Sequence, residues 1–265
     1  MTIGVGGSSA AVELDKLVNM TCGISDISIE EYNKRVTKAQ MLMKEHNISA
    51  TYINAGTNLY YFTGTRWYAS ERMVGAIIPQ SGNVIYIAPH FEVNTLQQYM
   101  VVKGEVIGWH EHESPYQLFT QTLNQLGLTD GNIAIDESAA FFIADGIKQS
   151  SPSLNLVDAK PVTAGCRMCK SSHEIALLQR AKDMTLEVHK AVARILHEGI
   201  TTSEVEQFIH QAHIKVGAPK GSYFCIVLFG EDSAYPHGLK SPKALEKNDV
   251  VLIDTGCQLF GYNSD

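Results

Sequence analysis

The chain has 265 residues, of which 45% are hydrophobic and 18% charged, and its formal net charge is −7. This length and apolar content suffice for a sizeable core and for two domains. The acidic balance, without a cluster of Lys and Arg, excludes nucleic acid as the main partner, and no apolar run is long enough to span a membrane.

The cysteines and the amino-terminal residues indicate in which cellular compartment the protein is located. The five cysteines have irregular spacing and an odd count, which is typical of a reducing environment and predicts a cytoplasmic protein. Residues 1–11 are small and glycine-rich, but they lack the basic and apolar stretches of a secretory signal. We expect residues 1–27 to form a flexible arm.

Alternating helix and strand signals follow this arm. Ser28 and Glu31 form a predicted capping box at the start of a helix. Apolar runs predict strands at 51–54, 73–79, 83–88, 105–108, 132–136 and 154–157, with helices at 91–100, from 115, and at 138–148. The alternation predicts an α/β domain over residues 28–158.

A second domain is predicted over residues 171–265, after a linker at 159–170. Ser171 and Glu174 form another capping box, which opens a long helix that Gly199 ends. The next helix begins after Thr201 and ends near residue 217, and apolar strand signals come after it.

Two carboxylates stand out in the last twelve residues. The β-branched run 250–253 predicts a buried strand that ends at Asp254, and residues 255–256 predict a turn. Leu259, Phe260 and Tyr262 predict a second strand, bent at Gly261, which would bring Asp265 back beside Asp254. Carboxylates so placed repel each other unless a cation lies between them, and hard divalent ions bind such oxygens. The spacing alone is equally consistent with a turn-capping Asp254 and an unrelated Asp265.

Neighbouring motifs favour the metal interpretation. Pro236-His237, the strand ending in Asp254-Thr-Gly256, and Gly261-Tyr-Asn-Ser-Asp265 occur in this order and spacing. Together they closely resemble the Xaa-Pro peptidase family with the pita-bread fold, which includes prolidase, aminopeptidase P and creatinase. The resemblance implies an α/β protein: an amino-terminal creatinase/prolidase-type domain, ribonuclease H-like, followed by the first half of a pita-bread α+β catalytic domain.

The resemblance also implies roles for site residues. Asp254 would hold one of two divalent ions and Asp265 would bridge them, with Mn²⁺ expected and Zn²⁺ or Co²⁺ as alternatives. A water bound between such ions loses its proton near neutral pH, and the hydroxide attacks a polarised carbonyl. His237 would hydrogen-bond to substrate near the scissile bond without binding metal. The alternative for His237 is an ordinary turn histidine after Pro236.

The family's remaining ligands, a histidine and two glutamates, follow the motif that ends at Asp265. We therefore expect a polypeptide of these residues alone to be a fragment, inactive or nearly so. Half of a pita-bread sheet is also expected to expose apolar surface and to be poorly stable.

An aromatic residue of the amino-terminal domain is a further candidate for substrate contact. Residues 58–64 resemble a family signature, and Trp67 follows in a predicted loop. In the family's dimers and tetramers this domain helps to wall the active site of a neighbouring subunit. The resemblance thus implies a homodimer or larger homo-oligomer, with Trp67 near substrate. The alternative is that Trp67 packs within its own domain.

Other metal or redox patterns are weaker. Cys166 and Cys169 have the spacing of a redox or zinc pair, but no second pair lies nearby. His110 and His112 are separated by one residue. We interpret the cysteines as ordinary thiols and the histidines as solvated polar residues.

The function predicted from the resemblance is hydrolysis of the Xaa-Pro bond of small peptides, by a dipeptidase or an aminopeptidase. Two alternatives remain: a creatinase-like amidinohydrolase, which does not use the metal pair, and a non-catalytic binding module on the same fold. The presence of both Asp254 and Asp265 disfavours both alternatives.

Overall fold

The computed structural model describes residues 4–235, 237–239 and 241–264. The chain divides into two compact units. The amino-terminal unit is Ile27–Cys169, and the carboxyl-terminal unit combines Lys170–Asp265 with Met1–Asp26. No helix of the described residues is both long and apolar enough to cross a membrane.

The helices and strands are numbered here in chain order. The helices are α1 (Ala10–Lys16), α2 (Ile29–Glu45), α3 (Thr57–Thr63), α4 (Val93–Tyr99), α5 (Pro115–Gln125), α6 (Phe141–Ser150), α7 (Lys160–Arg167), α8 (Ser172–Ile195) and α9 (Thr202–Val216). The strands are β1 (Ile48–Asn54), β2 (Gly75–Pro79), β3 (Ile85–Pro89), β4 (Glu105–Trp109), β5 (Asn132–Ile135), β6 (Asn155–Asp158), β7 (Ser222–Phe229), β8 (Val251–Leu259) and β9 (Tyr262–Asn263).

The amino-terminal unit is built on a mixed six-stranded sheet with the order β4-β3-β2-β1-β5-β6. Strand β2 is antiparallel to both β1 and β3, and the other pairs are parallel. Side chains of the central strands are buried with those of α5, among them Tyr52, Ile77 and Phe119. Helices join the parallel strands, which is the connection that parallel pairing requires. The α/β class predicted from the sequence is confirmed.

The carboxyl-terminal unit packs α8 and α9 against an antiparallel sheet with the order β7-β8-β9. The predicted capping box forms at α8, and a second one forms at α9. The Glu174 amide donates to Ser171 Oγ at 3.1 Å, and the Ser171 amide donates to Glu174 Oε2 at 2.8 Å. Thr201 and Glu204 make the same reciprocal pair at α9. These caps fix where the helices start, and hence which faces meet the sheet.

The expectation of a flexible arm over residues 1–27 does not describe residues 10–16, which form α1. Ser9 caps this helix, and the carboxylate of Glu13 is fully buried between Lys16 Nζ at 2.7 Å and Arg194 Nε at 2.6 Å. The Gly6 amide also donates to the carbonyl of Ala193 at 2.8 Å. The Glu13–Arg194 ion pair and backbone hydrogen bonds therefore attach the amino-terminal segment to α8.

Most of the expected linker at 159–170 is also helical. Helix α7 begins beside Pro161, near the helix start, where proline is tolerated because its missing amide donor is not needed. Val162, Thr163 and Cys166 are buried, and α7 packs against α2 within the amino-terminal unit.

Candidate active site

Asp254 lies inside β8, not at the end of a strand as predicted. The strand continues through residues 255–259, because Thr255 pairs with Cys225 and Cys257 pairs with Ser222 of the neighbouring strand. Asp254 itself is opposite Ile226, and its side chain is exposed. It makes no hydrogen bond or ion pair with another described residue, so its oxygens are available to a ligand.

The turn of the hairpin lies at Phe260 and Gly261, after the longer strand. Leu259 pairs with Tyr262, and the two residues between them have φ angles of 48° and 85°. A two-residue loop with both φ values positive is a type I′ turn, which matches the twist of the flanking strands. Glycine adopts such an angle without strain, whereas a side chain like that of Phe260 does so only when its surroundings hold it.

The hairpin returns the chain to β8 as the sequence predicted. The Ser264 amide donates to the carbonyl of Cys257 at 2.9 Å. Ser264 is the last residue that the structure describes, so the predicted placement of Asp265 beside Asp254 lies outside the described residues. Pro236 also lies outside them.

His237 is exposed and lines a cavity of about 260 Å³ at β7. The cavity is also lined by Ile226, which pairs with Asp254, and by the carboxylates of Glu206 and Asp232. Burial raises the pKa of Glu206, while a hydrogen bond from the Val227 amide opposes that rise. The cavity therefore offers acidic and imidazole groups beside the strand that neighbours Asp254.

Cys225 lines the same cavity but is not suited to act as a nucleophile. Burial raises its pKa to about 11, and the nearby carboxylates of Glu206 and Asp254 push it in the same direction. Its sulfur is therefore a thiol at neutral pH.

His189 of α8 is a neighbour of Asp254 that the sequence analysis did not identify. It is half-buried, and burial lowers its pKa while the Asp254 carboxylate raises it. Its only sequence signal is its position on the helix one turn after Thr185, which a pattern of apolar residues does not reveal.

Trp67 lies in the loop after α3 and contacts its own unit. Its ring meets that of Tyr99 edge-on, with centroids 6.2 Å apart. Arg66, the preceding residue, stacks on Tyr60 at 4.3 Å. The contact with Tyr99 leaves Trp67 half-buried, with part of its ring accessible.

The weaker metal patterns do not assemble a site. The rings of His110 and His112 stack at 5.7 Å, with His90 4.3 Å from His110, so the rings lie against one another. Cys166 is buried with its pKa raised to about 11 by burial, and Cys169 is exposed. Among the described residues, no three His, Cys, Asp or Glu side chains converge to hold a metal ion.

Asp254 fits a divalent ion by its chemistry. Carboxylate oxygens are the ligands that hard ions such as Mn²⁺ favour, and this carboxylate is exposed. A single carboxylate is too few ligands to hold an ion tightly. The described residues therefore include one suitable metal ligand, Asp254, but not a complete set of ligands for an ion.

Family models match both units. The creatinase/prolidase amino-terminal domain matches residues 35–169, and metallopeptidase family M24 matches residues 176–265. The chain therefore belongs to the family with a creatinase/prolidase amino-terminal domain, and its carboxyl-terminal residues match metallopeptidase family M24. The resemblance predicted from the sequence motifs is confirmed.

Among curated relatives, the candidate dipeptidase YkvY of Bacillus subtilis is 31% identical over 235 residues, covering 87% of this chain and 64% of the relative. An uncharacterised peptidase of Schizosaccharomyces pombe is 30% identical over 253 residues, covering 90% of this chain and 54% of the relative. The chain thus spans less than two thirds of the length of these relatives.

Solved structures show the same fold. A prolidase from Thermococcus sibiricus superimposes with a TM-score of 0.77 at 26% identity, covering 88% of this chain and 64% of the other. Aminopeptidase P from Escherichia coli has a TM-score of 0.69 at 20% identity, covering 90% and 61%. The two-part architecture of a creatinase-type domain and a partial pita-bread domain is thereby confirmed.

Proposed function

We propose that the complete protein is a metal-dependent peptidase that hydrolyses the Xaa-Pro bond of short peptides. The observation that carries this proposal is the free carboxylate of Asp254 on β8, beside a hairpin whose return strand leads directly to Asp265. The match to metallopeptidase family M24 supports the peptidase class. The names of similar proteins, a candidate dipeptidase and a prolidase, favour dipeptides and proline.

Each residue of the site has a role in this proposal. Asp254 and Asp265 bind a pair of divalent ions, expected to be Mn²⁺, with Zn²⁺ or Co²⁺ as alternatives. Bound ions supply a hydroxide nucleophile at neutral pH and polarise the carbonyl that it attacks. His237 hydrogen-bonds to the substrate and orients it, without binding an ion.

The cavity that His237 lines supports a small substrate. Its volume of about 260 Å³ lies just below the usual range of pockets for drug-sized ligands. The acidic side chains of Glu206 and Asp232 in its wall favour a cationic group, such as the free amino terminus of a short peptide.

The remaining metal ligands belong, in this proposal, to residues outside this sequence. The chain covers 54–64% of the two curated relatives compared above, which leaves room for them in a longer protein. We propose that these residues alone hydrolyse peptides poorly or not at all. We also propose a cytoplasmic location.

Hydrolysis of Ala-Pro and Gly-Pro dipeptides and of a longer Xaa-Pro peptide, in Mn²⁺, tests the proposal in the complete protein. Asp254→Asn is expected to remove bound Mn²⁺ and to lower kcat/KM at least a thousandfold, because the nucleophile is lost. His237→Ala should keep the metal and lower kcat, and loss of metal in that variant would contradict the substrate-side role.

Two other functions are distinguished by the same assay. A complete protein that binds Mn²⁺ but cleaves no peptide would point to a non-catalytic binding module. Turnover of an amidino substrate without metal would point to a creatinase-like enzyme. Neither alternative is favoured by an observation in the described residues.

A further inference from the structure

A buried series of hydrogen bonds joins α9, α8 and the end of the hairpin. His213 of α9 is fully buried, and its Nε2 lies 3.1 Å from Thr185 Oγ1 on α8. Thr185 Oγ1 donates to Ser264 Oγ at 2.9 Å, and the Cys257 amide donates to the same oxygen at 2.8 Å. On the far side of the imidazole, Nδ1 lies 2.9 Å from Ser222 Oγ.

The direction of these hydrogen bonds follows from the number of protons. Thr185 has one hydroxyl proton, which it donates to Ser264, so Thr185 must accept from Nε2–H of His213. A neutral imidazole protonated at Nε2 then accepts at Nδ1 from the hydroxyl of Ser222. Burial keeps the imidazole neutral, since it lowers the pKa of His213 to about 4. Each donor in the series points towards Ser264.

Side chains of α8 also hydrogen-bond to two residues of the β8–β9 hairpin region: to the backbone of Ser264 and to the hydroxyl of Tyr262. Lys182 Nζ donates to the carbonyl oxygen of Ser264 at 2.6 Å. Tyr262 Oη donates to Glu174 Oε1 at 3.0 Å. Together with the bond from its amide to Cys257, Ser264 is held through its amide, its carbonyl and its hydroxyl group, and only 6% of its surface is exposed.

We propose that Thr185 and His213 are positioning residues for the metal-binding carboxylate of Asp265. The inference rests on the proposed function, in which Asp265, the residue after Ser264, bridges the ions. Thr185 and His213 are both buried, so their role in this proposal is to position and not to bind substrate. They act by fixing the hydroxyl and the backbone of Ser264, and so the point from which the next residue departs.

The magnitude of this effect follows from known metal sites. Residues that orient a ligand without touching the ion change metal affinity by about 10–100-fold when they are removed. A ligand on an unanchored segment must lose conformational entropy each time the ion binds, and an anchored ligand has already lost it. A purely structural network, in contrast, would lower stability when it is cut and leave metal affinity unchanged.

Titration of the complete protein with Mn²⁺, followed by paramagnetic broadening of amide NMR signals of β8 and β9, tests the inference. This measurement gives a dissociation constant for the unsubstituted protein and for each variant. Thr185→Val should weaken Mn²⁺ binding about tenfold. Thr185→Ser keeps the hydroxyl and should restore the affinity of the unsubstituted protein.

Ser264→Ala removes the same contact from the other side, and provides a second variant if Thr185→Val folds poorly. If both act through one hydrogen bond, the double variant should bind no more weakly than either single variant. Thr163→Val is the matched control, because Thr163 is a buried helical threonine with a bonded hydroxyl in the amino-terminal unit. It should leave Mn²⁺ affinity unchanged.

The outcomes separate the inference from the function on which it rests. If Mn²⁺ broadens no signal of β8 in the complete unsubstituted protein, the proposed metal site is wrong and the inference falls with it. If Asp254→Asn abolishes the broadening while Thr185→Val binds Mn²⁺ as tightly as the unsubstituted protein, the metal site stands and the positioning role is overturned.

Discussion

Ionisable side chains of the carboxyl-terminal unit differ sharply in burial. Asp254 is exposed, whereas Glu13 and His213 are fully buried. A buried group takes the charge state that its partners support. Glu13 stays ionised beside Lys16 and Arg194, while His213 is held neutral between hydroxyl groups. The exposed carboxylate of Asp254 can therefore bind a ligand, whereas the buried side chains of Glu13 and His213 stabilise the fold.

The neutral state of His213 predicts a pH-dependent stability. Burial, with smaller contributions from His189 and His210, lowers its pKa from 6.5 to about 4. The unfolded chain therefore binds more protons between these values, so stability falls as the pH drops below about 6.5. The loss is complete near pH 4 and amounts to about 3 kcal/mol. Urea unfolding at pH 7 and at pH 5, followed by NMR signals of residues 170–264, measures it.

The His213→Asn variant cannot titrate in this range, so its stability should vary less between pH 7 and pH 5. His46→Gln changes an exposed histidine and is the control. If His213→Asn showed the same pH dependence as the unsubstituted chain, another group would have to be responsible.

Motifs allowed some site residues to be predicted and not others. Asp254, Asp265 and His237 belong to short patterns in which neighbouring residues add information. Thr185 and His213 are single polar residues on helices, and their partner Ser264 lies far along the chain. No local sequence pattern predicts this contact, because Thr185, His213 and Ser264 come together only in the folded structure.

At the level of elements, the structure differs from the sequence prediction where tertiary contacts outweigh local signals. Thr255 and Gly256 have turn propensity, yet pairing with β7 keeps them in a strand. Helix α7 contains Pro161 and Gly165, and helix α1 is short and half polar. Both helices form because one face packs against another helix. Capping boxes, in contrast, are local, and the one at α8 was predicted correctly.

The attachment of α1 to α8 predicts the effect of one substitution. Glu13→Gln replaces a buried carboxylate that Lys16 and Arg194 both contact. Hydrogen bonds to charged groups are lost, so the free energy of unfolding of the carboxyl-terminal unit should fall by about 2 kcal/mol. Urea unfolding of the two proteins at pH 7 gives the difference.

Glu30→Gln is the matched control, because Glu30 lies exposed in the first turn of α2. Glu30→Gln should leave the free energy of unfolding of the carboxyl-terminal unit unchanged. A Glu13→Gln variant as stable as Glu30→Gln would mean that α1 contributes little to the unit.

At the level of the whole molecule, the proposed oligomer predicts complementation between subunits. In a complete protein, each active site would combine Asp254 of one subunit with Trp67 of its neighbour. Trp67→Ala and Asp254→Asn would therefore each damage a different subunit's contribution to the site. Mixing the two inactive variants should then restore activity, because half of the randomly formed dimers carry one undamaged site. The expected recovery is about one quarter of the original activity, measured by Xaa-Pro dipeptide hydrolysis.

Mixed variants that remained inactive, although light scattering showed exchange of subunits, would place Trp67 in its own domain only. The contact of its ring with Tyr99 fits that alternative. Tyr68→Ala is the control, since Tyr68 is the exposed neighbour of Trp67.

The carboxyl-terminal unit is assembled from two separated parts of the chain. Its first part ends at Asp26 and its second begins at Lys170, with the whole amino-terminal unit between them. During synthesis at about 5–20 residues per second, Glu13 of α1 waits roughly 9 to 36 seconds before Arg194 of α8 has been added to the chain. Expression of the second part alone would leave Arg194 without its buried partner Glu13. Residues 170–264 therefore depend for this contact on a segment that is made before the amino-terminal unit.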